Sequence, residues 1–538
     1  MAYSFPVLGR HGPHVPVEDI RNGVRFLAGL PSFLRRPLGI AEARATLARR
    51  LGQREADFLT LARSAGHPGG PGIYRELLEL AGCTVGDLEK LVHAEGVEGA
   101  LQVLYRRGVY LTVDEFKGRR PVVRGSTVLE VRHERLRMST SAARVPAHSG
   151  GSRSAGTPVP IDFGFVRDCA VNRLLMFEAW GGSNWLHGYW GVLGGVALVR
   201  ILEYSIIGPP PRWFSQVDPS DPSLHSRYRW SSRALRWGSA LANVPLSPPE
   251  HVPLDDPRPI IRWMLDVLGS GRTPNLHTYA SSAVRLCQSA IEAGISLRGV
   301  RLTLVGEPTT AARLDVIRKA GAEGMPMYSS VEEGNIAFAC MAPEAVDDLH
   351  LFHDFHAVIQ AAADDANRVL PAGALLVSSL RPTVPFVLLN VSMGDQAVMR
   401  RRACGCPLEQ VGWSTHLHTI RSFDKLTAGG MTFLDADVIR VLEDVLPRRF
   451  GGGPTDYQLV EEEGPDGQPR LRLLVHPALG ELDGEAVGDA FLTAVGSASQ
   501  AEHVMELKWR AAGLLRVERS APRVTRVGKI LHLHQERH

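Results

Sequence analysis

Apolar residues in the first part of the chain recur at the three- and four-residue intervals of amphipathic helices. The stretch GIAEARATLARRLGQREADFLTLARSA has this spacing, and YRELLELAG ends in a glycine, a common helix stop signal. We therefore predict a helical N-terminal segment over about residues 20–110. The segment STVLEVRHERLRM follows it, and its alternation of apolar and polar residues predicts a strand.

From His148 onward the pattern alternates between helices and short apolar runs. SSAVRLCQSAIEAGI is spaced as a helix, whereas VRLTLVG, ALLVSSL and PFVLLNV are typical of buried strands. Near residue 420 the pattern changes to a strand–turn–helix, two strands joined by Gly-Pro-Asp-Gly, and a final strand-rich piece. The predicted fold class is α/β (mixed α+β), with parallel-type sheets and helices in a large N-terminal domain (1–421) and a small mobile C-terminal α+β domain (422–538).

Composition narrows the classes of function. The chain has 538 residues, too many for one hydrophobic core, and its net charge of +3 is too small to indicate a nucleic-acid partner. The most apolar segment, YWGVLGGVALVRILEYSIIG, is interrupted by Arg200 and Glu203, so we predict a buried segment and no membrane partner. No signal peptide is recognisable and the six cysteines predict no disulfide framework, which favours the cytoplasm.

Polar residues that could take part in catalysis or ligand binding follow several predicted strands. Gly306–Pro308 ends VRLTLV and precedes threonines that cap a helix, YSSVEE begins at Tyr328, and Gly394–Asp395 ends another apolar run. Upstream, SGGSRSAGTP is rich in glycine and hydroxyl groups, as phosphate-binding loops are. Taken singly, each is equally consistent with an ordinary turn.

Taken in order, these segments resemble the adenylate-forming (acyl-CoA synthetase-like, ANL) superfamily, in particular its phenylacetate–CoA ligase-like branch. The resemblance covers most of the chain. The matching segments are SGGSRSAGTP, GEP at 306–308, YSSVE at 328–332, NVSMGD ending at Asp395, RSFD at 421–424 with AGG, and PRVTRVGK ending at Lys529.

The resemblance implies a role for each matched residue. Lys529 would be the catalytic cation that bridges the substrate carboxylate and the nucleotide, and Glu332 would hold Mg²⁺. Asp395 would bind the ribose hydroxyls, with Arg421 near the ribose or phosphate at the domain junction. The remaining implied nucleotide-binding residues are Gly306, Glu307, Pro308, Tyr328 and Ser329 at the strand ends, and Ser149, Gly150, Gly151, Ser152, Arg153, Ser154, Gly156 and Thr157 in the phosphate loop.

The sequence also departs from the family pattern. The phosphate loop has Arg153 but no lysine, and Val331 stands where a threonine is expected before Glu332. Ser329 replaces a glycine, and Phe423 replaces the first hinge aspartate. These departures leave open a non-catalytic nucleotide-binding descendant of the family.

Two further groups of residues have both a functional and a structural interpretation. In some relatives, residues matching Cys340, His350, Cys404 and Cys406 bind a structural zinc; here His353 and His356 are alternatives to His350, and the cysteines could equally be a buried strand residue and a turn. The branch forms its acid pocket where this chain has WGGSNWLHGYWGVLGG. Candidate substrate residues there are Trp185, His187, Tyr189 and Trp190, although core packing explains each one as well.

The resemblance therefore implies an ATP-dependent ligase with magnesium. It would convert a small carboxylic acid to an acyl-adenylate, release pyrophosphate, and pass the acyl group to a thiol, most directly coenzyme A. The alternatives left open are transfer to an amine or to a carrier protein. Rotation of the C-terminal domain between the two steps, and a homodimer, are further expectations from the family.

Overall fold

The computed structural model of the protein describes most of the chain. The described residues are 17–66, 72–137, 144–148, 158–221, 226–362, 369–423, 427–428, 431–432, 435–463, 469–497, 509–510, 513, 515–525 and 528–536.

Helices predominate in the first hundred residues and then alternate with strands. The α-helices are α1 (Val17–Leu34), α2 (Ile40–Gly52), α3 (Arg54–Gly66), α4 (Gly72–Leu80), α5 (Val85–Arg106), α6 (Val113–Phe116), α7 (Phe163–Ala179), α8 (Gly195–Ile207), α9 (Ser226–Leu241), α10 (Arg258–Gly269), α11 (Ala280–Glu292), α12 (Ala311–Lys319), α13 (Pro407–Gln410), α14 (Asp435–Arg440), α15 (Leu446–Phe450) and α16 (Gly484–Gly496). Short 3-10 helices occupy His133–Leu136, Gly182–Asn184 and Pro477–Leu479, and a π-helix occupies Val441–Val445.

The strands are short and most lie between residues 185 and 422. They are β1 (Val122–Arg124), β2 (Thr127–Leu129), β3 (Arg144–His148), β4 (Pro158–Asp162), β5 (Trp185–Gly191), β6 (Arg212–Ser215), β7 (Glu250–His251), β8 (Thr273–Tyr279), β9 (Arg301–Val305), β10 (Glu323–Ser330), β11 (Gly334–Ala339), β12 (Leu349–Leu351), β13 (His356–Gln360), β14 (Leu375–Ser379), β15 (Asp395–Arg401), β16 (Thr415–Ser422), β17 (Thr427–Ala428), β18 (Met431–Thr432), β19 (Tyr457–Glu463), β20 (Pro469–Val475), β21 (Leu515–Arg519) and β22 (Leu533–Glu536).

The main sheet has ten strands in the order β15-β16-β12-β11-β10-β9-β8-β5-β6-β7. From β10 to β7 neighbouring strands are parallel, because helical crossovers connect most of them. From β10 to β15 they are antiparallel. The α/β fold class predicted from the sequence is confirmed, and the antiparallel half is an addition that the sequence pattern did not predict.

The N-terminal helices also agree with the sequence pattern, but one predicted strand is wrong in part. Only Thr127–Leu129 of STVLEVRHERLRM forms a strand, and His133–Leu136 forms a 3-10 helix. The His133 side chain accounts for this break, because its ring packs edge-on against Phe116 and its Nδ1 lies 3.1 Å from the Phe116 carbonyl oxygen. A tertiary contact therefore overrides the local alternation of apolar residues.

The last part of the chain has a sheet and an apolar core of its own. The four strands have the order β21-β20-β19-β22, and β19 and β20 pair antiparallel as the Gly-Pro-Asp-Gly turn predicted. Val441, Phe491 and Trp509 belong to this core, which is separate from the two cores on the main sheet. This arrangement is compatible with the predicted small C-terminal domain beginning near residue 422, which stays a prediction.

One buried arginine joins this C-terminal part to the main sheet. Arg313 of α12 donates to Glu307 Oε2 at 2.9 Å and to Glu443 Oε1 at 2.7 Å, and all three side chains are at most 2% exposed. His532 Nε2 lies 2.5 Å from Glu443 Oε1. Burial alone would raise the pKa of Glu443, but Arg313 and His532 outweigh it and lower that pKa to about 2. Glu443 is therefore ionised near neutral pH.

Within the described part of the chain, no helix is both long enough and apolar enough to cross a membrane.

We predict that Arg313→Met lowers the free energy of unfolding by about 3 kcal/mol, because the substitution leaves two buried carboxylates without their shared cation. Arg318→Met is the matched control, since Arg318 lies on the same helix, is 61% exposed and, among the described residues, pairs only with Asp315. That change should cost less than about 0.5 kcal/mol. Urea denaturation followed by tryptophan fluorescence measures both, and equal stabilities of the two variants would contradict the prediction.

Candidate functional site

The candidate site lies at the edge of the main sheet where parallel strands β8, β9 and β10 end. Tyr279 is paired with Val305, and Leu304 with Pro326, so the turn after β9 and the end of β10 are neighbours. Ligands in α/β sheets collect at such carboxyl ends. The first polar residues beyond this edge are those that the sequence predicted to be functional.

Lys529 reaches this edge from the other end of the chain. Gly306 follows β9 with φ +75°, and a Cβ at this position would lie 2.8 Å from Lys529 Cε and 3.0 Å from Tyr279 Cδ1. The Lys529 ammonium lies 5.6 Å from the centre of the Tyr279 ring. Glycine is needed here both for the left-handed backbone and for the close approach of the lysine.

Glu307, the second residue of the turn, binds several groups within the protein. Its carboxylate accepts hydrogen bonds from the Ser281 backbone N–H at 2.7 Å and from the Ile530 backbone N–H at 2.8 Å. Ser281 Oγ and Arg313 also donate to it. Because Ile530 is next to Lys529 in the chain, Glu307 fixes the backbone that carries the lysine. Pro308 follows Glu307 and its carbonyl oxygen accepts a hydrogen bond from Arg313.

Tyr328 and Asp395, predicted from two distant motifs, are hydrogen-bonded to each other. The Tyr328 hydroxyl donates to Asp395 Oδ2 at 2.9 Å. Burial raises the pKa of Tyr328 well above its ordinary value, and the Asp395 charge adds to this effect. Tyr328 is therefore a neutral donor that orients the carboxylate at the start of β15. Ser329 lies beside Tyr328, at an irregularity in the pairing of β10 with β11.

Glu332 lies in the turn between β10 and β11 and is only 5% exposed. Its Oε1 is 3.4 Å from Lys117 Nζ and, among the described residues, accepts no hydrogen bond. A buried carboxylate oxygen in this state has capacity for a further cation or donor. Lys117 follows α6, so the N-terminal segment contributes a positive charge next to the predicted magnesium ligand.

Glu333, which was not singled out from the sequence, is the most perturbed carboxyl of the site. It is 1% exposed, and Ser330 Oγ donates to its Oε2 at 2.8 Å. Burial raises the pKa of Glu333 to about 8, with the charges of Glu332 and Asp395 acting in the same direction. Glu333 is consequently largely protonated at neutral pH.

The remaining predicted nucleotide residues are not gathered with these. Arg421 of β16 donates to Asp347 Oδ2 at 2.9 Å and lies across from Gln396 rather than against Asp395. The predicted phosphate loop lies outside the described residues. The strands that flank it are β3 and β4, which pair antiparallel from Arg144 and Asp162 to His148 and Pro158.

The four aromatic candidates on β5 fall on both faces of the sheet. Tyr189, His187 and Trp185 share the face that packs against α7 and α8, whereas Trp190 belongs to the core on the opposite face and donates to the Val252 carbonyl oxygen at 2.8 Å. Trp185 is paired with Thr273, at the far end of the strands. Of the three on the α7 and α8 face, Tyr189 lies closest along its strand to the edge that carries Tyr279.

Four cysteine and histidine residues predicted as a zinc site are brought together, although they are distant in sequence. Cys404 Sγ and Cys406 Sγ lie 3.6 and 3.0 Å from His350 Nε2. Cys340, His350 and Cys404 form a cluster with His416, in which one donor atom from each residue lies within 4.8 Å of the others. His416 was not predicted. His353 and His356, the alternatives to His350, are not in the cluster.

In both histidines of this cluster, Nε2 is the unprotonated ring nitrogen and can act as an acceptor. His350 Nδ1 lies 2.5 Å from the Trp413 carbonyl oxygen and His416 Nδ1 lies 2.7 Å from Asp348 Oδ1, so each Nδ1 carries the proton. His416 Nε2 is buried and has no hydrogen-bond partner in the described structure. Histidines that ligate metals have this tautomer and this type of support.

The sequence contained only partial signals for the residues that were missed. Glu333 follows Glu332, and His416 lies in THLHTIR, whose two histidines look metal-like but whose alternation favours a strand face. Lys117 and Tyr279 stand in unremarkable helix-end and strand contexts. The residues that the structure adds to the site or to the Cys–His cluster are Lys117, Tyr279, Ser281, Arg313, Glu333 and His416.

No family model and no curated protein matches the chain. It is similar in structure to a 2-hydroxyisobutyryl-CoA ligase in complex with 2-HIB-AMP and CoA, at 15% identity, 93% and 92% coverage of this chain and that chain, and a TM-score of 0.43. It is also similar to an anthranilate CoA ligase in complex with anthranoyl-AMP (10% identity, 72% and 65% coverage, TM-score 0.38). A third similar structure is an O-succinylbenzoate coenzyme A synthetase from Bacillus subtilis in complex with ATP and magnesium (14% identity, 68% and 66% coverage, TM-score 0.36). These scores are low, so the function is argued from the residues of the site.

We predict that Glu333→Gln changes how stability depends on pH. Because the pKa of Glu333 is about 8 in the folded protein and 4.5 ordinarily, ionisation favours the unfolded state. As the pH rises between those two pKa values, the free energy of unfolding of the wild type should fall relative to that of the variant by up to about 1.4 kcal/mol per pH unit. Melting temperatures of both proteins from pH 5 to pH 9 test this, and parallel profiles would contradict it.

Proposed function

We propose that this chain is an adenylate-forming, ATP-dependent acid–thiol ligase that resembles the phenylacetate–CoA ligase-like branch. The observation that carries the proposal is the position of Lys529 against Gly306, at the strand edge where Tyr328 and Asp395 also lie. These residues come from four separate motifs of the chain. Their order matched the family in sequence, and their proximity supports a common site.

The carboxylate side of the site suits a magnesium nucleotide. Asp395, oriented by Tyr328, can accept both hydroxyls of a ribose, as the resemblance implies. Glu332 Oε1 has no hydrogen bond among the described residues, and an unshared carboxylate oxygen is the hard ligand that Mg²⁺ prefers. Bound Mg²⁺ would supply charge neutralisation for the nucleotide phosphates. Lys117, already beside Glu332, adds a lysine ammonium group, which the phosphate loop with its Arg153 does not contain.

The cationic side suits the acid. Adenylation brings the substrate carboxylate against the α-phosphate of ATP, so two anions must be held together. The Lys529 ammonium can bind both groups at once and so stabilise the charge that develops as pyrophosphate leaves. Glu307 supports this role indirectly, because it binds the Ile530 backbone and so limits where the lysine can go.

For the second step, we propose transfer of the acyl group to the thiol of coenzyme A. The Arg313–Glu443 contact is a buried polar connection between the main sheet and the C-terminal domain (422–538). Rotation of that domain would have to break this contact. Transfer to a carrier protein or an amine is the alternative with the same first step. Val331 and the missing loop lysine favour, as a second candidate, a nucleotide-binding protein that no longer catalyses the reaction.

We further propose a structural zinc at the Cys–His cluster. Two thiols and two imidazole nitrogens are a complete tetrahedral set, and Cys406 offers a third thiol next to His350. The buried Nε2 of His416, a member of the cluster, has no hydrogen-bond partner in the described structure, so it is available to a metal. Such a metal would connect β11, β12 and β16 with the loop that carries Cys404 and Cys406.

We predict acid-dependent exchange between ATP and labelled pyrophosphate, measured across a panel of carboxylic acids. Lys529→Ala should lower this exchange at least 100-fold, because the charge that bridges the two anions is lost. Lys319→Ala is the control, since Lys319 is an exposed lysine on α12, and it should stay within about twofold of the wild type.

Two outcomes would contradict the proposal in different ways. Nucleotide binding without exchange for any acid would favour the non-catalytic descendant. Exchange that survives Lys529→Ala would show that another group bridges the anions. Exchange without thioester formation from coenzyme A would confirm the first step and redirect the search for the acceptor to carrier proteins and amines.

We predict about one zinc per chain in purified protein, measured by plasma mass spectrometry. Cys404→Ser should remove most of it; Cys404 is half-exposed, so the substitution changes the packing of the core little. Cys287→Ser is the control, because Cys287 is buried in α11 on the other face of the sheet. A folded wild type that contains no metal would rule out the site.

A further inference from the structure

A group of buried charges lies beneath the edge of the sheet and has no role in the chemistry described above. Glu203 of α8 accepts from Arg173 Nε at 2.7 Å and from Arg200 Nη1 at 2.8 and 3.0 Å. Arg173 and Glu203 are fully buried and Arg200 is 9% exposed. One carboxylate is thus shared between two guanidinium groups.

The other titratable groups in contact with this cluster are neutral at pH 7. Burial lowers the pKa of His187 to about 3 and lowers that of His277 well below its ordinary value. Burial also raises the pKa of the Cys169 thiol and of the Tyr204 hydroxyl. The cluster therefore carries one net positive charge, and an uncompensated buried charge is costly unless an anion accompanies it.

Arg200 also lines a small cavity, which gives such an anion a place. The cavity has a volume of about 20 Å³, and its wall includes Arg200, Glu203, Ser330, Val331 and Gly334 with apolar side chains of β4, α7 and α8. In the described structure, every hydrogen bond of the Arg200 guanidinium is donated by its Nη1 atom. Its Nε and Nη2 edge is consequently left with donors for a ligand.

The cavity adjoins the site proposed for adenylation. Ser330 and Val331 directly precede Glu332, and Gly334 ends the same turn. Tyr279, which packs against Lys529, lies within electrostatic reach of Arg200: burial raises the pKa of Tyr279, and the Arg200 charge opposes that rise. Lys529 and Arg200 thus both act on Tyr279, Lys529 by contact and Arg200 through its charge.

We propose that Arg200 binds a second carboxylate of the acid substrate, so that the preferred substrates are small dicarboxylic acids. The inference rests on the proposed ligase function. A carboxylate matches the paired donors of a guanidinium edge. The cavity has room for about one or two water molecules, which suits a carboxylate and is too small for a phosphate or sulfate group.

The test compares acids of equal length with one or two carboxylates. Glutarate and pentanoate, and succinate and butanoate, are supplied separately to the wild type in the ATP–pyrophosphate exchange assay. At equal acid concentrations, we expect the exchange rate with each dicarboxylate to be at least tenfold higher than with the monocarboxylate of the same length. Arg200→Met should remove this preference and leave pentanoate exchange unchanged or higher, which also shows that the variant is folded.

Two further variants keep the result interpretable. Arg200→Lys retains the charge without the paired donors, so it should lower glutarate exchange at least fivefold and leave pentanoate exchange unaffected. Arg212→Met is the control, because Arg212 is half-exposed and pairs only with Glu250 among acidic residues. It should match the wild type with all four acids.

The failures of the two proposals are distinguishable. A wild type that prefers the monocarboxylates, or that treats each pair alike, overturns the role of Arg200 and leaves the ligase function standing. If no acid of any kind supports exchange, the ligase function is overturned. Thermal stabilisation by glutarate then tests the anion site alone: stabilisation that Arg200→Met abolishes supports it, and equal melting temperatures with and without glutarate overturn it.

Discussion

The geometry of the site depends on the guanidinium of Arg313 between Glu307 and Glu443. Glu307 belongs to the turn after β9, and Glu443 belongs to the π-helix near the start of the C-terminal part. Arg313 therefore connects the strand edge to the part of the chain that carries Lys529. Since all three groups are buried, removal of Arg313 leaves two carboxylates without their shared cation, so the guanidinium stabilises this one arrangement.

The carboxylates and the lysine of the site come from different strands along the edge that this contact organises. Glu332 and Asp395 belong to the antiparallel half of the sheet, at the β10–β11 turn and the start of β15, and Lys117 lies beside Glu332. Lys529 contacts Gly306, which follows parallel strand β9. A nucleotide with its metal needs oxygen ligands, whereas an acid needs cations. Under the proposed function, the two substrates would meet near β10, where parallel pairing changes to antiparallel.

The sequence predicted what depends on local pattern or on motif order. The N-terminal helices, the β19–β20 hairpin and the cap of α12 by Thr310 all follow from short-range rules and are present. Contacts between distant residues could be predicted only in part. The resemblance assigned Tyr328 and Asp395 to one nucleotide site but did not indicate the hydrogen bond between them. The contact of Glu307 with Ile530 joins positions 223 residues apart, and no local pattern indicates it.

His416 and Arg200 illustrate two reasons for such omissions. His416 stands in an ordinary strand, and only the pairing of β12 with β16 places it opposite His350. Arg200 and Glu203 were visible in an apolar segment, where they argued against a membrane span. Periodicity alone could not say which neighbours they face, because Arg173, the second guanidinium, lies on a different helix.

Val331, the most evident departure from the family pattern, acquires a physical meaning from its surroundings. It lines the cavity of Arg200 and is partly buried against the main core. A threonine at this position would offer the guanidinium an acceptor within the protein, whereas the valine methyl groups offer none. The free donors of Arg200 then remain for a ligand, and the apolar wall raises the strength of any ion pair formed there by excluding water. Under the proposed function, one residue would account both for the missing phosphate-binding hydroxyl and for the donors of Arg200 that remain for an anion.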